Sequence, residues 1–218
     1  MKKTYIVAEI GINHEGKLRN CLKLIEKAYS AGADAVKLQT IDPEKNYVKN
    51  SESFSVFTKG QLTPFETKKT FLYAKKLGLD IFTTCGDEET AKWVDKLNPS
   101  AWKISSGLLN HIPMIKFLSK YKRKMIISTG MAKLQEIREA FKAVKSQGNN
   151  NIILLQCTSN YPVTNQNINL KKINVLKKMF KCDVGFSDHS VDSEAAFLSV
   201  ATESILLEKH ITLNKKRK

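Results

Sequence analysis

Two lysines, Lys37 and Lys103, sit close to the ends of short apolar runs, and amide or hydroxyl side chains follow each of them: Gln39 and Thr40 after the first, Ser105 and Ser106 after the second. An ammonium group among hydroxyls suits a phosphate or carboxylate, because both supply donors to a concentrated negative charge. Either lysine alone could equally reach out to water; two converging on one rim favour an anion. Other apolar runs end in the same way: Glu9, Asn13 and His14; Thr83 and Thr84; Ser128 and Thr129; Gln156, Thr158, Ser159 and Tyr161; Ser187, Asp188 and His189; Glu208, Lys209 and His210. On neighbouring strands roughly 5 Å apart, the imidazoles of His189 and His210 could share one metal ion, with water and substrate oxygens in the other positions. Two hydrogen-bonded histidines without metal fit the sequence equally well. Asp188 and Glu208 are candidates to orient those rings. His111, in a loop entering a helical stretch, suits a capping or surface role.

These clusters need a scaffold that brings strand ends together. The apolar, β-branched runs Tyr5–Ala8, Ala35–Leu38, Asp80–Thr83, Ala101–Ile104, Met125–Ser128, Ile152–Leu155, Asp183–Phe186 and Ser204–Leu207 read as buried parallel strands. Helical patterns separate them, such as Leu18-Leu22-Ile25-Ala28 and Ile137-Phe141-Val144, with Gly32 and Gly78 as stop signals. Eight strands with seven intervening helices imply right-handed parallel crossovers and an α/β fold, the (β/α)8 barrel, whose active sites lie at the C-terminal strand ends. The first strand runs into Glu9-Ile10-Gly11-Ile12-Asn13-His14, not a Gly-rich dinucleotide turn. The barrel is expected to be truncated after its eighth strand, leaving one face without its helix. The stretch from Ile41 to about Gln61 is the longest irregular connection, a candidate lid or binding loop.

A chain of 218 residues with 42% hydrophobic and 26% charged residues is long enough for one good core, and a single domain over 1–218 is expected. No apolar run is long enough to span a bilayer, and Met1-Lys2-Lys3-Thr4 enters a strand directly without a signal peptide, so a cytoplasmic location is expected. Cys21, Cys85, Cys157 and Cys182 show no paired spacing and read as free thiols, mostly in the core. Part of the formal charge of +15 is local, in Lys120–Lys124 and Lys215–Lys218. No nucleic-acid-binding motif accompanies it, so solvated helix faces account for it, and neither nucleic acid nor membrane is an expected partner.

Several blocks in order resemble the sialic acid synthase (N-acetylneuraminate synthase) family, including its legionaminate and pseudaminate relatives. They are Ala8-Glu9-Ile10-Gly11-Ile12-Asn13-His14-Glu15-Gly16, Lys37-Leu38-Gln39-Thr40, Ser128-Thr129-Gly130-Met131, Cys157-Thr158-Ser159-Asn160-Tyr161-Pro162, Gly185-Phe186-Ser187-Asp188-His189 and Glu208-Lys209-His210-Ile211-Thr212-Leu213. The resemblance implies condensation of phosphoenolpyruvate with an N-acetylated amino sugar such as N-acetylmannosamine, with release of phosphate. It implies a divalent metal, Mn2+ or Mg2+, on His189 and His210. Phosphoenolpyruvate would be held by Lys37, Thr84, Lys103, Ser106, Ser128, Ser159 and Ser187, and the sugar by Gln39 and Tyr161. Glu9 would position water or move a proton near the reacting carbons. The family's further C-terminal segment, with its antifreeze-like domain, is expected to be absent, so a homodimer or a separate C-terminal domain is the implied partner. Two local departures stand out. Leu108 occupies the place of a sugar-contacting glutamate, and Thr83-Thr84-Cys85-Gly86 replaces a Ser-Thr-Pro-Phe block, which is expected to loosen that loop. An active synthase and a degenerate homologue that binds without catalysis both follow from this pattern.

Overall fold

Continuous apolar strands joined by amphipathic helices bury both sheet faces when the helices coat one side and the sheet curls upon itself. The computed structural model, which describes residues 3–215, has that arrangement. Of the ends read above, Met1, Lys2, Lys216, Arg217 and Lys218 lie outside the described residues. The strands are β1 (Tyr5–Gly11), β2 (Ala35–Thr40), β3 (Asp80–Cys85), β4 (Ala101–Ile104), β5 (Lys124–Ser128), β6 (Ile152–Cys157), β7 (Asp183–Asp188) and β8 (Leu206–His210). They close in that order into a parallel barrel, the (β/α)8 fold expected from the sequence. Several strands run two or three residues further than their apolar runs, because the polar residues at their C-terminal ends still belong to the ladder. Thr84 and Cys85 pair with Gln39 and Thr40, and Ser187 and Asp188 pair with Glu208 and Lys209. The eighth strand is shifted towards His210, since Ser204 precedes it and turns its hydroxyl onto the Leu206 carbonyl at 2.8 Å.

The crossover helices are α1 (Leu18–Ser30), α4 (Pro64–Lys76), α5 (Glu88–Asp95), α6 (Ile112–Ser119), α7 (Leu134–Ser146), α8 (Lys171–Phe180) and α9 (Glu194–Ala201). In the connection from Ile41 to Gln61 the expectation of irregular chain is corrected, since it carries two more, α2 (Pro43–Asn46) and α3 (Glu52–Gly60). Asp42 caps α2 through the Glu44 N–H at 3.1 Å, and Ser51 caps α3 through the Phe54 N–H at 3.1 Å. The rings of Tyr47 and Phe57 then stack 5.1 Å apart and tie the two together. Gly86, in the block expected to loosen the loop after β3, leaves room for a close neighbour. The side chain of Asn46 packs where a Cβ would stand, and its amide donates to the Asp42 carbonyl (2.8 Å) and towards Asp87 (3.4 Å).

The chain forms two compact units: Ala101–Lys209 with the start of the chain through Val7, and Ala8–Ser100 with the chain from His210 onward. In the first, Trp102, Ile104, Met125, Ile127, Leu154 and Val184 are buried, and the Trp102 ring meets Tyr121 at 5.6 Å. In the second, the stripe Cys21-Leu24-Ile25-Ala28 of α1 is buried at helical spacing, as are Phe71 and Ala74 of α4. A capping box, Thr63 with Glu66, starts α4. Gly32 and Gly78 take φ of 77° and 80° just past α1 and α4, the helix-stop role read from sequence. The four cysteines are free; Cys21, Cys85 and Cys157 are buried and Cys182 half-buried. Among the described residues no helix is long and apolar enough to cross a membrane.

Gly185 of β7 shows how tightly the first unit is packed. A Cβ there would lie 2.5 Å from the Leu206 carbonyl oxygen and 2.7 Å from a Leu155 methyl, whereas one at Gly107 would meet nothing within 4 Å. Gly185→Ala is expected to lower unfolding free energy by about 1–3 kcal/mol, and Gly107→Ala to change it far less, both read from urea unfolding curves.

Candidate active site

In parallel strands, residues two apart share a face and register partners point the same way. The polar strand ends therefore sort into two classes within each unit. In the unit holding Ala8–Ser100, Glu9, Lys37, Gln39 and Thr84 lie on the barrel's inner face. Lys37 and Glu9, each 2% exposed, form an ion pair with Nζ 2.8 Å from the carboxylate. Gln39 follows two residues on and pairs with Thr84. Thr84 is fully buried, and among the described residues its hydroxyl has no hydrogen-bond partner. Thr40 and Thr83, read as part of the same cluster, point the other way and bond each other at 2.9 Å, so they tie β2 to β3. Asn13 is structural too, its amide donating to the Ile211 carbonyl at 2.8 Å, while the Ile211 N–H donates to the Glu9 carbonyl at 3.0 Å. Those two bonds seat the chain just after His210, which is exposed at the end of β8.

In the unit holding Ala101–Lys209, Lys103 is buried and donates to Ser128 Oγ at 2.7 Å and to the Ile104 carbonyl at 3.2 Å. Ser187 donates to the Glu208 carboxylate at 3.0 Å, and that carboxylate stands 3.6 Å from Lys103 Nζ. Ser106 accepts from the Gly130 N–H at 3.1 Å. Gly130 is needed there, because a Cβ would collide with the hydroxyls of both Ser106 and Ser159. The Ser159 hydroxyl is buried and, among the described residues, has no hydrogen-bond partner. An orphaned buried hydroxyl costs about 1–3 kcal/mol, so Thr84 and Ser159 mark positions where a ligand atom would be welcome.

His189 is held at both ring nitrogens. Nδ1 lies 2.8 Å from the Thr158 carbonyl, which makes it the protonated nitrogen and leaves the Nε2 lone pair to accept from the Tyr161 hydroxyl at 2.8 Å. The Tyr161 ring also stacks on the imidazole at 4.0 Å. The sequence reading of Asp188 as an orienter of the histidines is corrected here. Asp188 points to the opposite face of β7, where it binds Lys209 at 2.6 Å and the Ser190 N–H at 2.8 Å. Glu208 belongs to the Lys103 cluster, a role its register with Ser187 would have revealed. Gln156 and Thr158 hold the loop after β6 through the Ile168 and Asn167 carbonyls. His111 caps α6, accepting from the Met114 N–H at 3.3 Å, as its sequence position suggested. Burial pushes the Cys157 thiol up in pKa, and this keeps it protonated beside Ser106 and His189 at 3.7 and 3.9 Å.

A cavity of about 430 Å³ opens beside Gln39, lined also by His14, Asp42, Lys45, Gln61 and Trp93. Lys45 is neutralised there by Glu89 at 2.7 Å and Asp42 at 3.5 Å. Among the described residues no group of three or more His, Cys, Asp or Glu side chains could hold a metal ion.

Residues 24–218 match the NeuB family. The chain belongs to that family. It is 36% identical over 231 residues to the N,N'-diacetyllegionaminic acid synthase of Campylobacter jejuni, covering 99% of this chain and 69% of that protein. It is 34% identical over 229 residues to the pseudaminic acid synthase of the same species, covering 98% and 66%. Among solved structures, the N-acetylneuraminic acid (sialic acid) synthetase of Leptospira borgpetersenii, in complex with citrate, aligns with a TM-score of 0.94 at 29% identity, over 98% of this chain and 74% of that one. The chain spans about two-thirds of the length of the curated relatives it matches, 63, 69 and 60% for three of them.

His14, in the family block after β1, is buried and accepts the Gly16 N–H at its Nδ1 (3.2 Å). Burial pushes its pKa down to about 4, partly opposed by the charge of Glu66 and a backbone hydrogen bond to Gly11. A neutral imidazole is thus favoured in the folded state, and its contribution is complete above pH 6.5 and lost as pH falls from 6.5 towards 4. The loss is at most about 3 kcal/mol. His14→Gln is expected to be less stable at pH 7 but to lose less stability between pH 6.5 and 4.5 than the parent, as measured by urea unfolding at both values.

Proposed function

We propose that this chain forms the barrel of a phosphoenolpyruvate-dependent synthase that joins phosphoenolpyruvate to an N-acylated amino sugar and releases phosphate. The observation that carries the reading is Lys103, a buried ammonium hydrogen-bonded to Ser128 within a cluster of serine hydroxyls. Such a cluster has little use for a neutral ligand but supplies directed donors to phosphate and carboxylate oxygens. Ser106, Ser159 and Ser187 extend the set, and Lys37 with Thr84 adds a second ammonium and an orphaned hydroxyl. The relatives' names, synthases of legionaminic and pseudaminic acids, point to the same class of product.

In the proposed reaction, the methylene carbon of phosphoenolpyruvate attacks the aldehyde carbon of the open-chain sugar. A C–C bond forms, and the aldehyde oxygen takes a proton to become a hydroxyl. Water adds to the resulting cationic carbon, and collapse of that adduct breaks the bond to the phosphate oxygen, leaving a keto acid and inorganic phosphate. Lys37 and Lys103 would each hold an anionic group, supplying orientation as well as charge. Glu9, paired with Lys37 at 2.8 Å, would accept a proton from the attacking water. His189 and His210 would ligate a divalent metal, manganese or magnesium. The tautomer of His189 fits this role: the Thr158 carbonyl fixes the proton on Nδ1, and Nε2, which accepts from Tyr161 in the ligand-free chain, would give its lone pair to the ion once that hydroxyl moves. Bound there, the ion would supply Lewis acidity to the aldehyde oxygen. Gln39 and Tyr161 are the proposed sugar contacts. The cavity beside Gln39 supports its part, since burial favours a neutral His14 there and Lys45 is paired with Glu89 and Asp42.

Phosphate release should be measured with phosphoenolpyruvate, manganese and a panel of N-acyl hexosamines. Turnover is expected with at least one of them, and Lys103→Met should lower kcat/KM by roughly 10²–10³-fold. Failure of every sugar while phosphoenolpyruvate still binds in a titration would favour the reading that the chain binds without catalysis, for which Leu108 is the specific argument. Leu108 ends a 3-10 turn at Ser106–Leu108 and offers no acceptor to a sugar hydroxyl. Leu108→Glu is expected to raise kcat/KM for N-acetylmannosamine about tenfold or more, and an unchanged sugar preference would remove Leu108 as a specificity determinant.

A further inference from the structure

Within the unit holding Ala101–Lys209, three members of the buried polar cluster, Lys103, Ser128 and Ser187, are proposed above to hold an anion. The fourth, Glu208, has no such role. It is 5% exposed, its carboxylate accepts from Ser187 at 3.0 Å, and it lies 3.6 Å from Lys103 Nζ. The β7–β8 register sets Ser187 directly opposite Glu208, so the contact is built into the ladder and does not depend on a loop. Resting on the anion-site reading, we propose that Glu208 is the internal counter-ion of that site: it holds Lys103 and Ser187 in the ligand-free chain and competes with the incoming anion for both.

The physical case has two parts. A buried ammonium without a nearby negative charge is strongly destabilising, so a carboxylate must accompany Lys103 while no ligand is present, and Glu208 stands within reach at 3.6 Å. The same charge then penalises the ligand. An oxyanion bound at Lys103 comes within a few ångströms of the Glu208 carboxylate, where like charges repel appreciably in a poorly screened interior. The Ser187 hydroxyl has one proton to donate and spends it on Glu208, so it must turn away before it can serve a ligand. Glu208 therefore lowers affinity for any anion at this position, and that favours departure of inorganic phosphate once it has formed.

Titration of inorganic phosphate into the full chain by calorimetry at pH 7.5 tests this directly. Glu208→Gln keeps the shape and removes the competing charge, and phosphate is expected to bind about tenfold tighter, equivalent to about 1.4 kcal/mol. Glu208→Asp draws the carboxylate back by one methylene and should tighten binding about threefold, giving a second reading should the glutamine variant fail to fold. Both gains should vanish in a Lys103→Gln background, which a purely structural role for Glu208 would not produce. Phosphate affinity unchanged or weakened in the folded Glu208 variants, or tightened equally without Lys103, overturns the proposal. Absence of phosphate binding in every variant overturns the anion-site reading itself and the proposal with it.

Discussion

Carrying an ammonium group out of water into a strand-lined interior costs several kcal/mol unless a carboxylate and hydrogen-bond acceptors come with it, and among the described residues Lys37 and Lys103 are both so placed. Lys37 is answered by Glu9 at 2.8 Å in one compact unit, and Lys103 by Glu208 at 3.6 Å with Ser128 at 2.7 Å in the other. Neither pair is a large source of stability, since desolvation consumes most of the attraction. Their consequence is positional. All the partners except the ammonium tips themselves lie on β-strands, so the pairs demand that each strand keep its register. A slip of one residue would turn Lys37 and Gln39 outward into the helix layer and bring Leu38 inward.

That constraint explains what could and could not be read from the sequence. The strands were legible because buried parallel strands are apolar on both faces, and eight such runs leave few arrangements other than a closed barrel. Their C-terminal limits were not, because inner-face Lys, Ser, Thr and Glu are polar yet fully paired in the ladder. α2 and α3 were missed although their signals are present: Asp42-Pro43-Glu44 is a capped helix start, and Ser51-Glu52 another. At four and nine residues they are too short for a hydrophobic period to show. Asp188 reads as an orienter of His189 by closeness in sequence, but adjacent residues on a strand point apart, and the partner of Asp188 lies across the ladder at Lys209.

The same alternation divides the polar strand ends into those that face a ligand and those that hold the frame. Thr40 with Thr83 and Asp188 with Lys209 are outward pairs joining adjacent strands, while Thr129 donates to the Leu155 carbonyl at 2.9 Å. Gln156 anchors the loop carrying Tyr161. A residue-type census counts all of them as candidate chemistry. Parity along the strand separates them, and the orphaned hydroxyls of Thr84 and Ser159 then point to where binding, not framework, sets the side-chain geometry.

Inner-face strand residues and loop residues also differ in how freely they can change. Lys103, Ser128, Ser187 and Glu208 are coupled, so replacing one leaves a buried charge or donor unanswered in the others, and their chemistry is bound to the fold. Tyr161 is 67% exposed on the loop after β6, and Leu108 ends a short turn after β4. A substitution at either alters a few local contacts without touching a ladder hydrogen bond or a buried ion pair. Selection among neutral, hydroxyl-rich ligands can therefore drift at those positions while the groups suited to an anion stay as they are. This is why a leucine at 108 is compatible with an otherwise intact cluster of buried lysines and serines.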